Sequence, residues 1–271
     1  MTLPLQKTAI ERGDIAGIEF LRRPGSGAGT LVLLHGIGSN ARSFEPLMSA
    51  LGDARSLLAW NAPGYGGSRA LSVPAPTPRH YADALKDMLD RLEIATATIV
   101  GHSLGCLFAA SFTATYPERV RAVALLSPAL GYRVAAGAPL PPTVQSRIDE
   151  IESLGPTAFA AKRAARLVGE PERHPHVVEA VRQAMAQVNP PGYAQAVRAL
   201  GAGDLLADIA RITMPALVAV GSNDVITPPD NARTACAAFP RTAAFHEIAG
   251  AGHAMPQEQP DAVARLLSQL A

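Results

Sequence analysis

The chain has 271 residues, 48% of them hydrophobic, which predicts one large domain able to bury its own core without disulfides. Its 24 basic and 23 acidic residues are scattered along the sequence and leave a formal charge of +1. This balance argues against binding to nucleic acid or to an anionic membrane, because both need clustered positive charge. We therefore expect a small, neutral partner.

Two further features of the composition concern the compartment. The first residues carry charges where a signal peptide would have an apolar stretch, and no segment reaches the ~20 consecutive apolar residues of a membrane span. Cys106 and Cys236 each lie in an apolar stretch with a helical pattern, which is typical of buried free cysteines. These features predict a soluble, cytoplasmic protein without disulfides.

Predicted strands and helices alternate along most of the chain. Residues 14–23 predict a strand at the sheet edge, and apolar runs bounded by turn residues predict strands buried on both faces at 30–36, 56–64, 96–103, 120–129, 216–224 and 243–250. A helix is predicted at residues 79–94, with an apolar side that carries Tyr81, Leu85, Met88, Leu89 and Leu92. Such alternation is typical of a mostly parallel sheet with helices on both faces.

One region breaks this alternation. Between residues 131 and 208, segments with helical patterns follow one another, separated by glycine and proline, and none has the pattern of a strand. We predict that residues 131–208 form a helical lid. The lid would be inserted into an α/β core domain that residues 1–130 and 209–271 build together.

The stretch IVGHSLGCLF, residues 99–108, places a serine between two glycines where a buried strand ends and an apolar helix begins. A tight turn at this point would force Ser103 into an unfavourable backbone conformation and leave no room for side chains at Gly101 and Gly105. The serine oxygen would then stand exposed above the sheet. The pattern predicts that Ser103 is a nucleophile.

A serine hydroxyl needs a general base that a third group orients. His253, on a glycine-flanked loop after the last predicted strand, is the best placed of the seven histidines. Asp224 closes the preceding strand, and the loop SPALGYRV, after the strand before that, contains no carboxylate. The chain order of serine, aspartate and histidine is that of a nucleophile-elbow triad. We predict Ser103, Asp224 and His253 as the catalytic residues.

The oxyanion of a tetrahedral intermediate needs two backbone N–H donors. Leu104, the residue after the nucleophile, is expected to supply one of them. The other is expected from the glycine-rich loop LLHGIGSN, where Ile37 follows His35 and Gly36. We expect His35 and His102, which flank the site, to shape these loops through hydrogen bonds.

Together these motifs resemble the α/β-hydrolase family, in the branch of small esterases, enol-lactonases, carbon–carbon bond hydrolases and epoxide hydrolases. The matching pieces are, in family order, HGIGSN, AWNAPGYGGS, GHSLG, GSNDVITPP and GAGHAMPQEQP. The resemblance implies an eight-stranded, mostly parallel sheet with a helical cap, a covalent acyl-enzyme, and no cofactor or metal. The chain departs from the family at Asn61, where relatives often carry aspartate, and its lid has no motif that aligns.

The resemblance favours a serine hydrolase that uses water to cleave a small carboxylic ester or enol-lactone. Epoxide hydrolases and dehalogenases of this scaffold instead have a carboxylate at the position of Ser103. Carbon–carbon hydrolases of ring-cleavage products tend to have asparagine before the serine and tryptophan after the histidine, where this chain has His102 and Ala254.

Alternatives stay open at this level. Carbon–carbon hydrolysis would need extra polar groups, for which the lid offers Arg163, Arg166 and Arg182. Some proteins of this fold are ligand receptors or signalling partners with an intact triad, so a binding function is a second interpretation of the same residues. A homodimer is also compatible with the sequence.

Overall fold

The structure, a computed structural model, describes residues 9–27, 29–135 and 137–270. Within these residues the chain forms eight strands: β1 (Glu11–Ile15), β2 (Ile18–Arg23), β3 (Thr30–Leu34), β4 (Ser56–Trp60), β5 (Ala97–His102), β6 (Val120–Leu126), β7 (Ala216–Gly221) and β8 (Ala244–Ile248). They form one sheet in the order β1-β2-β4-β3-β5-β6-β7-β8. Neighbouring strands from β4 across to β8 are parallel, whereas β2 pairs antiparallel with both β1 and β4. The predicted eight-stranded, mostly parallel sheet is confirmed.

The α-helices follow in chain order: α1 (Glu45–Ala50), α2 (Pro78–Arg91), α3 (Leu104–Thr115), α4 (Pro142–Arg163), α5 (Pro175–Ala186), α6 (Pro190–Ala202), α7 (Leu205–Ile209), α8 (Pro229–Ala237), α9 (Met255–Glu258) and α10 (Pro260–Leu267). The predicted helix at residues 79–94 is confirmed as α2, and its buried side includes Tyr81, Leu85, Met88 and Leu89. In the part of the chain that the structure describes, no helix has the length and apolarity that crossing a membrane requires.

Residues 14–23 differ from the prediction of a single edge strand. They contain the turn of a hairpin between β1 and β2, at Ala16 and Gly17. Both turn residues have positive φ, 56° and 77°, which is the backbone of the two-residue turn that matches the twist of antiparallel strands. Such turns are usually marked in a sequence by Asn-Gly or Gly-Gly. This chain has Ala16-Gly17 there, and because alanine rarely adopts a positive φ, the turn was not predicted.

The sheet is buried on both faces through its centre. In β3, Val32 and Leu34 belong to one core cluster and Leu31 and Leu33 to a second cluster, because successive side chains point to opposite faces of a strand. This explains why the central strands read as continuous apolar runs. The prediction of burial on both faces is wrong for β8, which lies at the sheet edge and leaves Ala244 and Glu247 exposed.

Between β6 and β7 the described residues form helices and no strand, from α4 to α7. We refer to residues 131–208 as the predicted lid. The first two of its segments with helical patterns, PPTVQSRIDEIESLG at 141–155 and TAFAAKRAARLVG at 157–169, meet in α4, which breaks at Gly155 with φ 72° just before Pro156. Glycine alone tolerates this φ without strain, and proline removes a backbone donor at the same place, so the helix changes direction there.

Candidate active site

Ser103 lies in the turn between β5 and α3, with φ 54° and ψ −116°. A non-glycine residue in this region costs about 1–3 kcal/mol, which the surrounding structure must offset. The Ser103 N–H donates to the carbonyl of Leu126 on β6 at 2.9 Å, and the Ser103 carbonyl accepts from the Cys106 N–H at 3.0 Å. These bonds hold the serine at the carboxyl edge of the sheet, as the motif predicts.

The glycines on either side of Ser103 allow the helix to approach the sheet closely. A Cβ atom on Gly101 would lie 2.4 Å from the carbonyl oxygen of Gly105, and one on Gly105 would lie 2.1 Å from the carbonyl oxygen of Leu34. Both distances are far below van der Waals contact with backbone that cannot move aside. The expectation that these positions have no room for side chains is confirmed.

His253 and Asp224 meet at the same edge, on the loops that follow β8 and β7. Nδ1 of His253 lies 2.9 Å from Oδ2 of Asp224, and both side chains are almost completely buried. Oδ1 of Asp224 accepts from the N–H groups of Ile226 and Thr227 at 2.8 and 2.9 Å. The carboxylate therefore fixes the imidazole through Nδ1 and leaves Nε2 unengaged by the aspartate.

Asp224 stays ionised in this environment. Burial by itself would raise the pKa of the carboxyl group, but the imidazole of His253 and the N–H of Thr227 hold that pKa well below its ordinary value. An ionised carboxylate accepts a hydrogen bond from the Nδ1–H group and stabilises the imidazolium that forms when Nε2 takes a proton.

Thr227 is a member of this network that the sequence prediction missed. Its hydroxyl lies 3.0 Å from Oδ2 of Asp224, 3.1 Å from Nδ1 of His253 and 3.0 Å from the carbonyl of Ser127. Its position three residues after Asp224 is the spacing at which an aspartate side chain caps a backbone N–H. That spacing, in the stretch DVITPP, was the available signal.

Ser103 and His253 line one cavity of about 330 Å³ between the sheet edge and the predicted lid. Among the described residues, no hydrogen bond joins the serine Oγ to the imidazole. In enzymes without substrate this contact is often long and tightens when substrate binds. The structure thus brings the three predicted triad side chains to one place and connects two of them directly.

Ile37 and Leu104 also line this cavity. In the described part of the chain neither backbone N–H donates to another protein group, and Leu104 is the first residue of α3. A helix N-terminus offers unpaired N–H groups and a favourable dipole for negative charge. The Ile37 loop packs tightly on Ser103, because a Cβ on Gly36 would lie 3.0 Å from Cβ of Ser103. Both predicted oxyanion donors therefore lie at the cavity.

His35 and His102 act on these loops through hydrogen bonds, as expected. Nε2 of His35 accepts from the Ala62 N–H at 3.0 Å, and Nδ1 lies 2.8 Å from the carbonyl of Gly36. Nε2 of His102 lies 2.8 Å from the carbonyl of His253. Burial lowers the pKa of His35 to about 4 and that of His102 to about 3, so both rings are neutral near pH 7.

The predicted lid contacts the loop after β8. The carboxylate of Glu258 accepts from the N–H groups of Gly169 and Gly252, at 2.6 and 2.7 Å. The N–H of Ala254 donates to the carbonyl of Leu167 at 2.8 Å. Burial raises the pKa of Glu258, against the opposing effect of the two N–H donors. Hydrogen bonds therefore join residues 167–169 to the loop after β8, which carries His253.

Asn61, where the family often has aspartate, supports a neighbouring loop. Its side-chain oxygen accepts from the Ala41 N–H at 2.8 Å, and its amide donates to the carboxylate of Glu19. An aspartate could not make the second bond. Asn61 does not line the candidate site.

Cys106 and Cys236 are free, as predicted. Burial raises the pKa of the Cys106 thiol, so the thiolate that would act as a nucleophile is disfavoured. Within residues 9–27, 29–135 and 137–270, no three histidine, cysteine or acidic side chains are grouped as metal ligands would be.

Two of the known proteins that are similar to this chain are enzymes of similar length. The chain is 26% identical over 234 residues to 3-oxoadipate enol-lactonase 2 of Acinetobacter baylyi, covering 86% of this chain and 84% of the relative. It is also 26% identical over 269 residues to 2-hydroxy-6-oxononadienedioate/2-hydroxy-6-oxononatrienedioate hydrolase 2 of Pseudomonas putida, covering 90% and 87% of the two chains.

A solved structure and a family model agree with these relatives. The enol-lactonase from Burkholderia xenovorans LB400 superposes with a TM-score of 0.84 at 26% identity, covering 96% of this chain and 99% of that one. A family model for the alpha/beta hydrolase fold matches residues 29–260. Because that match includes six of the eight strands and all five predicted site residues, the chain belongs to the α/β hydrolase family.

Proposed function

We propose that this hydrolase is a serine enzyme that cleaves a small carboxylic ester or lactone, with Ser103, His253 and Asp224 as its catalytic triad. One observation carries the proposal: a buried Asp224–His253 pair and a serine on a strained strand-to-helix turn share one cavity. This arrangement contains a nucleophile, a base and a group that orients the base, which acyl transfer requires.

The proposed reaction has two halves. Oγ of Ser103 attacks the substrate carbonyl while Nε2 of His253 accepts its proton, and the N–H groups of Ile37 and Leu104 stabilise the oxyanion. The imidazolium then donates its proton to the departing oxygen, which leaves as an alcohol from an ester. In an enol-lactone the ring opens instead, and the enol formed stays attached to the acyl group. Water attacks the resulting acyl-Ser103 with His253 again as base, and the acid is released. Asp224 keeps the imidazole oriented in both halves.

Substitution of the triad tests this proposal. Ser103→Ala and His253→Ala should each lower kcat/KM for a short aryl ester by a factor on the order of 10⁴ or more. The double variant should lose little more, because the residues act as one unit. Ser111→Ala, a buried serine on the same helix α3, is the matched control and should keep wild-type activity.

Covalent labelling gives an independent measurement. A fluorophosphonate should add one adduct to Ser103 in the wild-type protein and none in Ser103→Ala, as read by mass spectrometry. Near-wild-type hydrolysis by Ser103→Ala contradicts the proposal. Labelling without multiple turnover of any ester or lactone supports instead a ligand-binding role for the same site.

Carbon–carbon bond hydrolysis is the second candidate, because the Pseudomonas putida relative is by name a 2-hydroxy-6-oxononadienedioate/2-hydroxy-6-oxononatrienedioate hydrolase. The local chemistry favours ester cleavage. The residue before the nucleophile, His102, is already bound to the carbonyl of His253, and Ala254 has no polar side chain. The comparison that decides is kcat/KM for an aryl ester, an enol-lactone and a ring-cleavage dienoate. A higher kcat/KM for the dienoate than for both the aryl ester and the enol-lactone contradicts the assignment as an ester or lactone hydrolase.

A further inference from the structure

The cavity above Ser103 has an unusual distribution of charge. Its walls are largely apolar, and two arginines of α4, Arg147 and Arg163, also line it. Among the described residues, no aspartate or glutamate lines the cavity. The ligand space is therefore positive on the side of the predicted lid, although the whole chain carries a formal charge of only +1.

The charge of Arg163 is balanced by a protein group. Nε of Arg163 donates to Oε2 of Glu150 at 2.9 Å, and Oε1 of the same carboxylate lies 2.7 Å from Nζ of Lys162. The guanidinium also lies over the ring of Phe159, at 4.8 Å from the ring centre. These contacts fix Arg163 and leave Glu150 fully engaged.

Arg147 has no such partner. It is half-buried, and its Nε atom is buried without a hydrogen-bond acceptor. No carboxylate of the described residues lies within 4.0 Å of its guanidinium. A partly buried cation without a counter-charge is less well screened than one in water, so an anion beside it is favoured. Because Arg147 lines the cavity, an anionic group that enters the cavity can pair with its guanidinium.

The neighbouring side chains fit an anion at this point. Tyr193 lines the same wall, and burial raises the pKa of its hydroxyl, against the charges of Arg147 and Arg163. The tyrosine is therefore a neutral hydrogen-bond donor at physiological pH. A guanidinium and a phenol hydroxyl together suit the oxygens of a carboxylate.

We propose that Arg147 binds a carboxylate of the substrate, so that the preferred ester or lactone is an anion with its carboxylate at the lid end and its scissile carbonyl at Ser103. This inference rests on the proposed function for the position of the scissile bond. It replaces the expectation of a neutral partner, because local charge in the cavity decides recognition and net charge does not.

We call the proposed contact between Arg147 and the substrate carboxylate the anchor. Because it is remote from the scissile bond, it stabilises the bound substrate and the transition state equally. Its loss should therefore raise KM for an anionic substrate and leave kcat nearly unchanged. A charge-assisted hydrogen bond corresponds to a change on the order of 10- to 100-fold in binding. A neutral substrate of the same length should bind poorly to the wild type, because it leaves Arg147 unpaired.

Two aryl esters test the proposal: mono-4-nitrophenyl glutarate, which carries a carboxylate, and 4-nitrophenyl pentanoate, which is neutral. Arg147→Met should raise KM for the glutarate ester by 10- to 100-fold and change KM for the pentanoate ester by less than threefold. Arg147→Lys should restore part of the preference. Arg173→Met removes the same charge from an exposed arginine that pairs with Glu170, and it should behave as wild type.

A binding measurement separates this inference from the proposed function. Calorimetry of monomethyl glutarate with Ser103→Ala protein, with and without Arg147→Met, needs no turnover. Weakening of at least tenfold by Arg147→Met supports the anchor, even where neither aryl ester is hydrolysed and the proposed function fails. Equal affinity in the two proteins overturns the anchor, as does an equal KM change for both esters. Melting temperatures establish that each variant is folded.

Discussion

The two buried histidines beside the candidate site make the fold sensitive to acid. An unfolded imidazole has a pKa of about 6.5, whereas the pKa of His35 is lowered to about 4 and that of His102 to about 3. Below pH 6.5 these two imidazoles therefore bind protons in the unfolded state but stay neutral in the folded state. The free energy of unfolding is therefore highest above pH 6.5, and it falls as the pH drops toward the pKa values of the two rings in the folded protein.

The size of the loss follows from these pKa values. At pH 5 the unfolded imidazole is almost fully protonated, and each ring is still neutral in the folded protein. Each histidine therefore lowers the free energy of unfolding by about 2 kcal/mol relative to pH 7. The two together remove about 4 kcal/mol, which lowers the melting temperature of a protein of this size by roughly 8–16 °C. Ordinary carboxyl groups stay ionised in this window and contribute little.

Thermal unfolding at pH 7 and pH 5 measures the effect. His35→Asn and His102→Gln should each show about half of the wild-type loss between the two pH values, and the double variant should show little. Each substitution also removes hydrogen bonds, so the comparison is made within one protein between the two pH values. Glu258, whose raised pKa acts in the opposite direction, is present in every variant and cancels.

The exposed His176 supplies the control for this experiment. His176→Asn should keep the full wild-type dependence on pH. An unchanged loss in both His35→Asn and His102→Gln would refute the argument that these rings are held neutral by burial.

Two further predictions concern the geometry of the site. Asp224→Asn should lower kcat by a factor on the order of 10⁴ with the fold retained, because the amide would stabilise the wrong tautomer of His253; activity within tenfold of wild type would contradict this. Gly105→Ala should prevent folding or greatly lower the melting temperature, since the new methyl group would lie 2.1 Å from the carbonyl oxygen of Leu34. An unchanged melting temperature, measured beside Ala109→Gly on the same helix as a control for helix substitution, would show that α3 can move away from β3.

The sheet and the turn at Ser103 could be predicted because their signals are local. A strand buried on both faces must be apolar where it is buried, as at residues 31–34 of β3, and the turn at Ser103 needs glycine on both sides for steric reasons. The hairpin at Ala16 and β8 could not be predicted correctly. A positive φ at alanine leaves no trace in composition, and the position of a strand within the sheet depends on the whole topology.

The arginines of the predicted lid show a second limit. Sequence analysis singled out Arg163, Arg166 and Arg182, yet of these only Arg163 lines the cavity, and its charge is balanced by Glu150. Arg147 lies on the part of α4 before the break at Gly155. Which side of α4 faces the site depends on that break and on packing against other helices, so the spacing of arginines along the chain does not reveal it.

The hydrogen bonds between residues 167–169 and the loop after β8 limit how this enzyme can be re-engineered. Lids are attractive units to exchange between relatives, because they shape the substrate cavity. Here a transplanted lid would remove the lid partners of Glu258 and Ala254, and the loop that carries His253 would lose that support. A chimera that carries residues 252–258 together with its lid keeps both sides of this contact. The segment to exchange is therefore discontinuous, and it includes part of the core.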